Sequence, residues 1–304
     1  MKSKRAKSLQ RVGGKTMLEM ICKTAESISA KITLIVGFDK NSIINESKSF
    51  DFEISTCEQA SPIGTGDAVK CGINEVDDAD KVLVLYGDVP LIKKETLENL
   101  VSTDDKSLTV LSTKVDNPFG YGRVKKDNDG NVTQIIEEKD ASNADKKISE
   151  IFTGILCCNK VLLAEALKEI KNDNAAGEYY LTDIVSIINK KGFKIKTCIV
   201  SNEEVKGANT KKELSELEET FRKMKSKDLL EMGITVSDPN RVDVRGEVSA
   251  GTDCNIDVNV ILDGVVKLGD NVSIGPNTIL KDVEIGNNTS IEAFSHLVSS
   301  KVGK

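Results

Sequence analysis

Two hydrophobic periods divide this chain. Up to about residue 200, unbroken apolar runs alternate with stretches whose apolar residues recur every third or fourth position; beyond Arg241 they recur every sixth. The runs Lys31 to Gly37, Val82 to Leu85 and Leu108 to Val115 predict strands buried on both faces. Helical spacing marks Lys15 to Ile28, Asp67 to Val76, Lys93 to Ser102, Lys160 to Lys171 and Tyr179 to Lys190, while Ser55 to Gly66 reads as a loop. Alternating helix and strand as far as Val115 predicts an α/β domain with a doubly wound, mostly parallel sheet. Arg123 to Lys126 and Val132 to Lys139 then predict a hairpin around Asn128-Asp129-Gly130. Glu150 to Asn159 and Phe193 to Val200 predict two further strands.

Thr210 to Gly233 predicts one long helix with a narrow stripe of Leu214, Leu217, Phe221 and Met224. The six-residue series follows. Ala250, Ile256, Leu262, Leu268, Ile274 and Leu280 are evenly spaced; after a one-residue deletion the series resumes at Ile285, Ile291 and Leu297. Valine often stands two residues earlier, and glycine follows several members. This is a hexapeptide repeat, which predicts a short left-handed parallel β-helix. The expected domains are an α/β domain at 1–209, a linker helix at 210–233 and an incomplete β-helix at 234–304.

Candidate chemistry concentrates at Tyr86-Gly87-Asp88-Val89-Pro90, just past the Val82 to Leu85 run. Open α/β sheets bind ligands at the carboxyl ends of their strands. A carboxylate there, behind a glycine that lets backbone approach closely, suits a magnesium ion carrying phosphates. Taken alone, the position suits a turn equally well.

Composition narrows the partners. The 304 residues carry a net charge of −6, with 39% hydrophobic and 30% charged residues. That balance fits a globular protein and argues against nucleic acid as a partner. No run approaches the length of a membrane span, and no signal peptide is recognisable. Seven cysteines without a CxxC pair read as reduced thiols of a cytoplasmic protein. His296 is the one histidine, and tryptophan is absent.

Several motifs now combine in order: Gln59 with Gly64-Thr65-Gly66, Tyr86 to Leu91, Gly120-Tyr121-Gly122-Arg123, Glu137-Glu138-Lys139-Asp140, Thr153-Gly154-Ile155, and Gly177-Glu178-Tyr179-Tyr180-Leu181-Thr182-Asp183, followed by the hexads. Together they resemble the bifunctional UDP-N-acetylglucosamine pyrophosphorylase / glucosamine-1-phosphate N-acetyltransferase family. The resemblance runs along the whole chain. It implies a Rossmann-like (GT-A-like) nucleotidyltransferase domain lacking its first strand. It also implies a Mg2+-dependent transfer of UMP from UTP to N-acetylglucosamine-1-phosphate in peptidoglycan and lipopolysaccharide precursor synthesis, by a homotrimer built through the β-helix.

The resemblance assigns residues as well. Lys7 falls at the family's phosphate-binding, catalytic lysine. Asp88 and Asn209 fall at the magnesium ligands, Gln59 at the uracil-reading amide, and Gly64 and Thr65 at the turn against the base. Tyr86 and Gly87 would line the nucleotide, and Gly122, Glu137, Tyr180 and Thr182 the sugar. From sequence alone, Asn209 equally suits a helix N-cap.

Three departures accompany the resemblance. The family's opening strand and glycine-rich loop would precede Met1. The sequence is therefore expected to be cropped there and, at the other end, within the acetyltransferase half, with poor folding and little activity on its own. The family's sugar-contacting asparagine is Phe152 here, which leaves another sugar-1-phosphate open as an alternative substrate. His296 does not match the acetyltransferase histidine, so no acetyl transfer is assigned. A non-catalytic trimerising remnant is the third reading.

Overall fold

The computed structural model describes residues 1–76, 79–102 and 108–303. In chain order its elements begin with the short strands β1 (Arg11–Val12) and β2 (Lys15–Thr16), then α1 (Met17–Glu26), β3 (Ile32–Val36), α2 (Lys40–Ser47), β4 (Ile54–Glu58), α3 (Thr65–Gly72), β5 (Lys81–Val84) and α4 (Lys94–Val101). There follow β6 (Leu108–Lys114), β7 (Arg123–Lys126), β8 (Val132–Ile136), β9 (Glu150–Asn159), α5 (Lys160–Glu169), α6 (Asp183–Lys190), β10 (Ile195–Ile199) and α7 (Lys211–Glu231). The chain forms two compact units. One comprises Lys2–Gln10 with Met17–Gly207; the other comprises Met1, Arg11–Thr16 and Ala208–Lys304.

In the first unit β9 is the central strand. It pairs antiparallel with β6 along one edge, and with β5 and β7 along the other. β10 extends the sheet parallel to β6, and β8 completes the hairpin with β7. The expected parallel pairing holds for β10–β6 and for the separate pair β3–β4; the other pairs of this unit are antiparallel. Successive β9 residues feed opposite layers. Leu156 and Cys158 join the core with α5 and α6, whereas Ile155 and Cys157 join Leu18, Ile21, Leu97 and Leu100 from α1 and α4. Burial on both faces is why the strand reads as a continuous apolar run. Burial pushes the Cys157 thiol up to about 11 and those of Cys22 and Cys158 to about 12, leaving them unreactive.

Four elements depart from expectation. β3 and β5, expected to be buried on both faces, are mostly half-buried, β3 in a two-stranded pair and β5 beside β9. The Ser55 to Gly66 loop begins as strand β4, which among the described residues pairs with β3 alone. Its sequence, Ile-Ser-Thr-Cys-Glu, suits a half-exposed strand rather than a buried one. Tyr179 and Tyr180 are irregular, Leu181 and Thr182 form a turn, and α6 starts only at Asp183.

The second unit holds α7 and the repeats. Thr210 is the N-cap of α7 in a full capping box with Glu213. Of the predicted stripe, Leu217 is fully buried and Leu214, Phe221 and Met224 are half-buried. The β1–β2 hairpin packs on this helix. The Gly13 amide donates to Glu218 Oε2 at 2.9 Å, and a Cβ at Gly13 would fall 2.0 Å from the Phe221 ring.

The repeats form a parallel β-helix. Short strands β11 (Thr235–Val236), β13 (Asn255–Ile256), β15 (Ser273–Ile274) and β17 (Ser290–Ile291) stack in one sheet. β12 (Val242–Ala250), β14 (Val260–Leu268), β16 (Ile279–Ile285) and β18 (His296–Val302) stack in another. Ile256, Leu262, Leu268, Ile274, Leu280, Ile285 and Ile291 all point inward. Val260, Val266, Val272 and Val283, two residues before four of them, are buried as well. The deletion after Leu280 appears as a register shift between β14 and β16, where Asp263 pairs with Lys281 but Val266 with Val283.

The corners require left-handed backbone, which Asn and Asp adopt readily. Asn259, Asn277 and Phe294 occupy one such corner in successive coils, with φ of 59°, 59° and 62°. Asn259 Nδ2 donates to Asn277 Oδ1 at 2.9 Å, and Phe294 cannot continue this ladder. Replacing Phe294, which is 79% exposed, by Asn is expected to stabilise this unit by about 1 kcal/mol. Denaturant unfolding followed by hydrogen exchange in the β-helix measures this, and a loss of protection there would contradict it.

Candidate active site

Several candidate residues of the first unit lie around Tyr86, just beyond β5. Tyr86 shares a hydrogen bond with the Thr65 hydroxyl. Its ring lies where a Cβ on Gly154 would come within 2.6 Å. Burial pushes its phenol up to about 12, and the carboxylates of Glu137 and Asp88 both act on it in the same direction. Tyr86 therefore stands between two chemically distinct corners.

At the first corner, Asp88 forms an ion pair with Lys7, which sits in a single 3-10 turn, Lys7–Leu9. That turn is anchored by the preceding amide, as Ala6 N–H donates to Asp39 Oδ2 at 3.0 Å. A hydrogen bond from Ser42 and this Ala6 amide hold the Asp39 carboxyl below its ordinary range. Gly207 approaches Asp88 with bare backbone: a Cβ there would lie 3.0 Å from the Asp88 carbonyl and 3.4 Å from Oδ2. Gly87 packs against Ser8 at 3.4 Å by the same measure.

Gln59 and the turn after it continue this side. Gln59 Nε2 donates to the Gly64 carbonyl at 3.1 Å and to Asp67 Oδ2 at 2.8 Å. Both amide hydrogens are thereby committed, which leaves Oε1 as the reading atom. Gly64 has φ of 135°, and its Cβ would fall 2.4 Å from the Tyr179 carbonyl. The segments are stapled together: Gly66 N–H donates to Tyr179 O at 2.8 Å, Tyr179 N–H to Ile63 O at 2.9 Å, and Leu181 N–H to the Thr65 hydroxyl at 3.1 Å.

The second corner holds Gly122, Glu137, Tyr180 and Thr182. The Thr182 hydroxyl donates to Glu137 Oε1 at 3.0 Å. A Cβ on Gly122 would lie 3.6 Å from both Glu137 oxygens. Desolvation raises the Glu137 carboxyl above its ordinary range; Asp140 and Glu178 raise it too, while Thr182 and Arg123 oppose them. Burial, reinforced by Asp140, Glu137, Glu178 and Asp183, raises the Tyr180 phenol. Phe152 is buried in the apolar core with Val124, Ile135 and Leu181 and offers this corner no polar group.

The structure thus brings Lys7 together with Asp88, Gln59 with Gly64, Thr65 with Tyr86, and Glu137 with Thr182 and Gly122. Asn209 belongs to the other unit, where its amide donates to Glu213 Oε2 at 2.6 Å. The N-cap of α7 is Thr210 rather than Asn209; the spacing Thr210-Lys211-Lys212-Glu213 is a readable capping-box signature. Asp39, Asp67, Gly207, Arg123 and Glu138 carry contacts at the site that motif reading left without a role.

Comparison with known proteins supplies the family. A profile described as "MobA-like NTP transferase domain" matches residues 1–175, and "Bacterial transferase hexapeptide (six repeats)" matches residues 266–299. The "Bifunctional protein GlmU" of Dechloromonas aromatica is 39% identical over 304 residues, covering 100% of this chain and 67% of the relative. The chain belongs to the GlmU family. The GlmU of Psychrobacter sp. is 41% identical over 94% of this chain and 63% of its own length, and that of Methylococcus capsulatus is 41% identical over 100% and 66%. This chain therefore spans 63% to 67% of the length of these GlmU relatives. Among solved structures, a nucleoside-diphosphate-sugar pyrophosphorylase from Vibrio cholerae matches with TM-score 0.56 and 17% identity, covering 71% of this chain and 93% of that one. HddC from Yersinia pseudotuberculosis matches with TM-score 0.51 and 18% identity, over 73% and 92%. These two share this chain's fold over 71% and 73% of its length; the NTP transferase domain and the hexapeptide repeats are those of the matching profiles. No helix among the described residues is long and apolar enough to cross a membrane.

Proposed function

We propose that the chain is a magnesium-dependent uridylyltransferase, moving UMP from UTP to N-acetylglucosamine-1-phosphate with release of pyrophosphate. The observation that carries this reading is the Lys7–Asp88 pair beyond the end of β5, with the side-chain-free Gly207 against the carboxylate. A sugar-phosphate oxygen attacks the α-phosphorus of UTP. One P–O bond forms as the bond to the bridging oxygen of the β-phosphate breaks. The protein's task is alignment and charge neutralisation.

The residues fit a magnesium ion. Among the described residues no three His, Cys, Asp or Glu side chains converge as a metal cage. Magnesium instead uses one or two protein oxygens with water and substrate phosphates, and Asp88 would supply the carboxylate. When bound, the ion neutralises phosphate charge. Lys7, paired with Asp88 in the free protein, turns to the α-phosphate and stabilises charge developing there. Gln59 Oε1 accepts from the uracil N3–H, with Gly64 and Thr65 forming the turn beneath the base. Tyr86 and Gly87 line the nucleotide. Gly122 donates its amide, and Glu137 accepts from sugar hydroxyls, flanked by Tyr180 and Thr182.

This assignment has two measurable consequences. Cytosine lacks the N3–H, so UTP is used in preference to CTP, and Gln59→Ala lowers that preference by about tenfold. Competition kinetics with the two nucleotides checks this; an unchanged ratio contradicts it. Glu137 accepts from sugar hydroxyls most strongly while ionised, and its pKa is raised. The KM for the sugar phosphate should therefore climb as pH falls, starting above the ordinary carboxylate range, while the KM for UTP stays level. A pH series of both constants tests it.

One observation favours a second substrate. Phe152 offers no hydrogen bond to an N-acetyl group, which suits a different sugar-1-phosphate. A panel of sugar-1-phosphates assayed for pyrophosphate release separates the two. The hexapeptide repeats support a homotrimer assembled through the β-helix. Seven free cysteines, four of them buried, suit the cytoplasm, where UTP is made.

A further inference from the structure

Arg123 is the largest fully buried side chain of the first unit, only 1% exposed. It opens β7, opposite Ile136 of β8 and Ile151 of β9. A guanidinium in such a place must be paired, because an uncompensated buried charge is strongly destabilising. Nη2 meets Glu138 Oε2 at 2.5 Å, and Nη1 donates to the Tyr121 carbonyl. The same Glu138 oxygen accepts the Gly120 amide at 3.2 Å, while Lys146 stands 3.7 Å from the other oxygen. Arg123 Nε has no partner among the described residues, so the packing there does not satisfy this side chain in full.

The pair grips a turn otherwise closed by two local bonds, Tyr121 N–H to Pro118 O at 3.2 Å and Phe119 N–H to Asn117 Oδ1 at 3.2 Å. Gly120 has φ of 86°, and a Cβ there would meet nothing within 4 Å. Phe119 and Tyr121 are 75% and 50% exposed. Through Tyr121 O and Gly120 N, the ion pair fixes both residues preceding Gly122, whose own carbonyl accepts Phe152 N–H at 2.8 Å. At its other end the pair fixes Glu138, the direct neighbour of Glu137.

We propose that the Arg123–Glu138 pair is a positioning device for the sugar phosphate: it holds the Gly122 amide and the Glu137 carboxylate in the relative geometry that receives the sugar hydroxyls. Neither member touches the sugar. The inference rests on the sugar-binding reading of Gly122 and Glu137. Its geometric support is that one contact ties together two chain segments so close that a Cβ on Gly122 would lie 3.6 Å from both Glu137 oxygens. A second consequence concerns charge. The groups acting on Glu137 are Thr182 and Arg123, which favour its ionised form, and Asp140 and Glu178, which oppose it; the Asp183 carboxyl and the Tyr86 and Tyr180 phenols face it as well. Arg123 is the one cation among them.

The test uses the full chain and four variants: Arg123→Met, Arg123→Lys, Glu138→Gln, and the double change Arg123→Met with Glu138→Leu. KM for sugar phosphate and for UTP are measured separately, with UDP-N-acetylglucosamine binding followed by calorimetry. Positioning predicts that the sugar KM rises about tenfold or more while the UTP KM changes little. It also predicts that the fall-off in sugar use moves to higher pH in Arg123→Met, and that Arg123→Lys recovers part of both effects. A buried ion pair of purely structural role can be replaced by apolar residues at little cost. A double variant that folds and keeps the wild-type sugar KM overturns the proposal, as does an equal rise in both constants. Should Arg123→Met fail to fold, Glu138→Gln, which keeps its volume and an acceptor, gives the same split. A wild-type chain that neither uses nor binds a sugar phosphate overturns the functional reading and this inference together; unchanged variants of a working enzyme overturn this inference alone.

Discussion

Asp88→Ala is expected to lower pyrophosphate release by on the order of a thousandfold while leaving the chain folded. The size follows from the task. Nucleotidyl transfer collects several negative charges on phosphate oxygens, and Asp88 would supply the carboxylate that ties a divalent cation to them. The intact fold follows from exposure. The Asp88 side chain is 17% exposed and that of Lys7 40%, so removing the carboxylate leaves a lysine that reaches water rather than a stranded buried charge. Asp88→Asn separates the parts of the role. It keeps an oxygen ligand and loses the charge, so it should fall between wild type and Asp88→Ala. Rates measured at saturating sugar phosphate over a magnesium series decide this. Equal rates for all three proteins would remove Asp88 from the mechanism.

Gly64→Ala is the second large effect. At φ of 135° an L-residue is strained, and its Cβ would lie 2.4 Å from the Tyr179 carbonyl and 2.6 Å from the Tyr179 nitrogen. Both contacts are backbone, and Tyr179 is itself bonded to Ile63 and Gly66, so neither segment can retreat cheaply. A loss of about 3 kcal/mol or more in the first unit is expected, with UTP and sugar binding weakened together because the staple joins both corners. Gly130→Ala is the matched control. Its φ of 83° carries backbone strain, but a Cβ there meets nothing within 4 Å, so its cost should be near 1 kcal/mol. Denaturant unfolding of the two variants separates close approach from backbone preference; equal losses would contradict the packing argument.

Much of this architecture could be read from periodicity, and the exceptions have physical causes. The hexads located the β-helix core and its one-residue deletion, because inward positions in a repeat coil admit little but apolar side chains. Burial on both faces made β6 and β9 visible as apolar runs. Pairing direction was not visible: a run such as Val82 to Leu85 has the same pattern whether its partner is parallel or, as with β9, antiparallel. β4 was missed because a strand with a single partner can carry Ser55, Thr56 and Glu58, which read as loop.

At the candidate site, motif order pointed to Lys7, Gln59, Gly64, Thr65, Tyr86, Asp88, Gly122, Glu137 and Thr182, and the fold places these within the first unit. Residues that orient them stayed hidden. Asp67 matters only because it takes one Gln59 hydrogen, Gly207 only because its backbone meets Asp88, and Glu138 only because Arg123 is buried against it. Such roles arise from contacts between distant segments, which local pattern does not encode.

The most direct test of the account is a titration of Mn2+ and UTP followed by electron paramagnetic resonance, with Mn2+ standing in for Mg2+. Bound Mn2+ that depends on UTP is expected for the wild-type chain, with affinity at least about tenfold weaker for Asp88→Ala. Equal Mn2+ binding by both proteins, or none that responds to UTP, would contradict it.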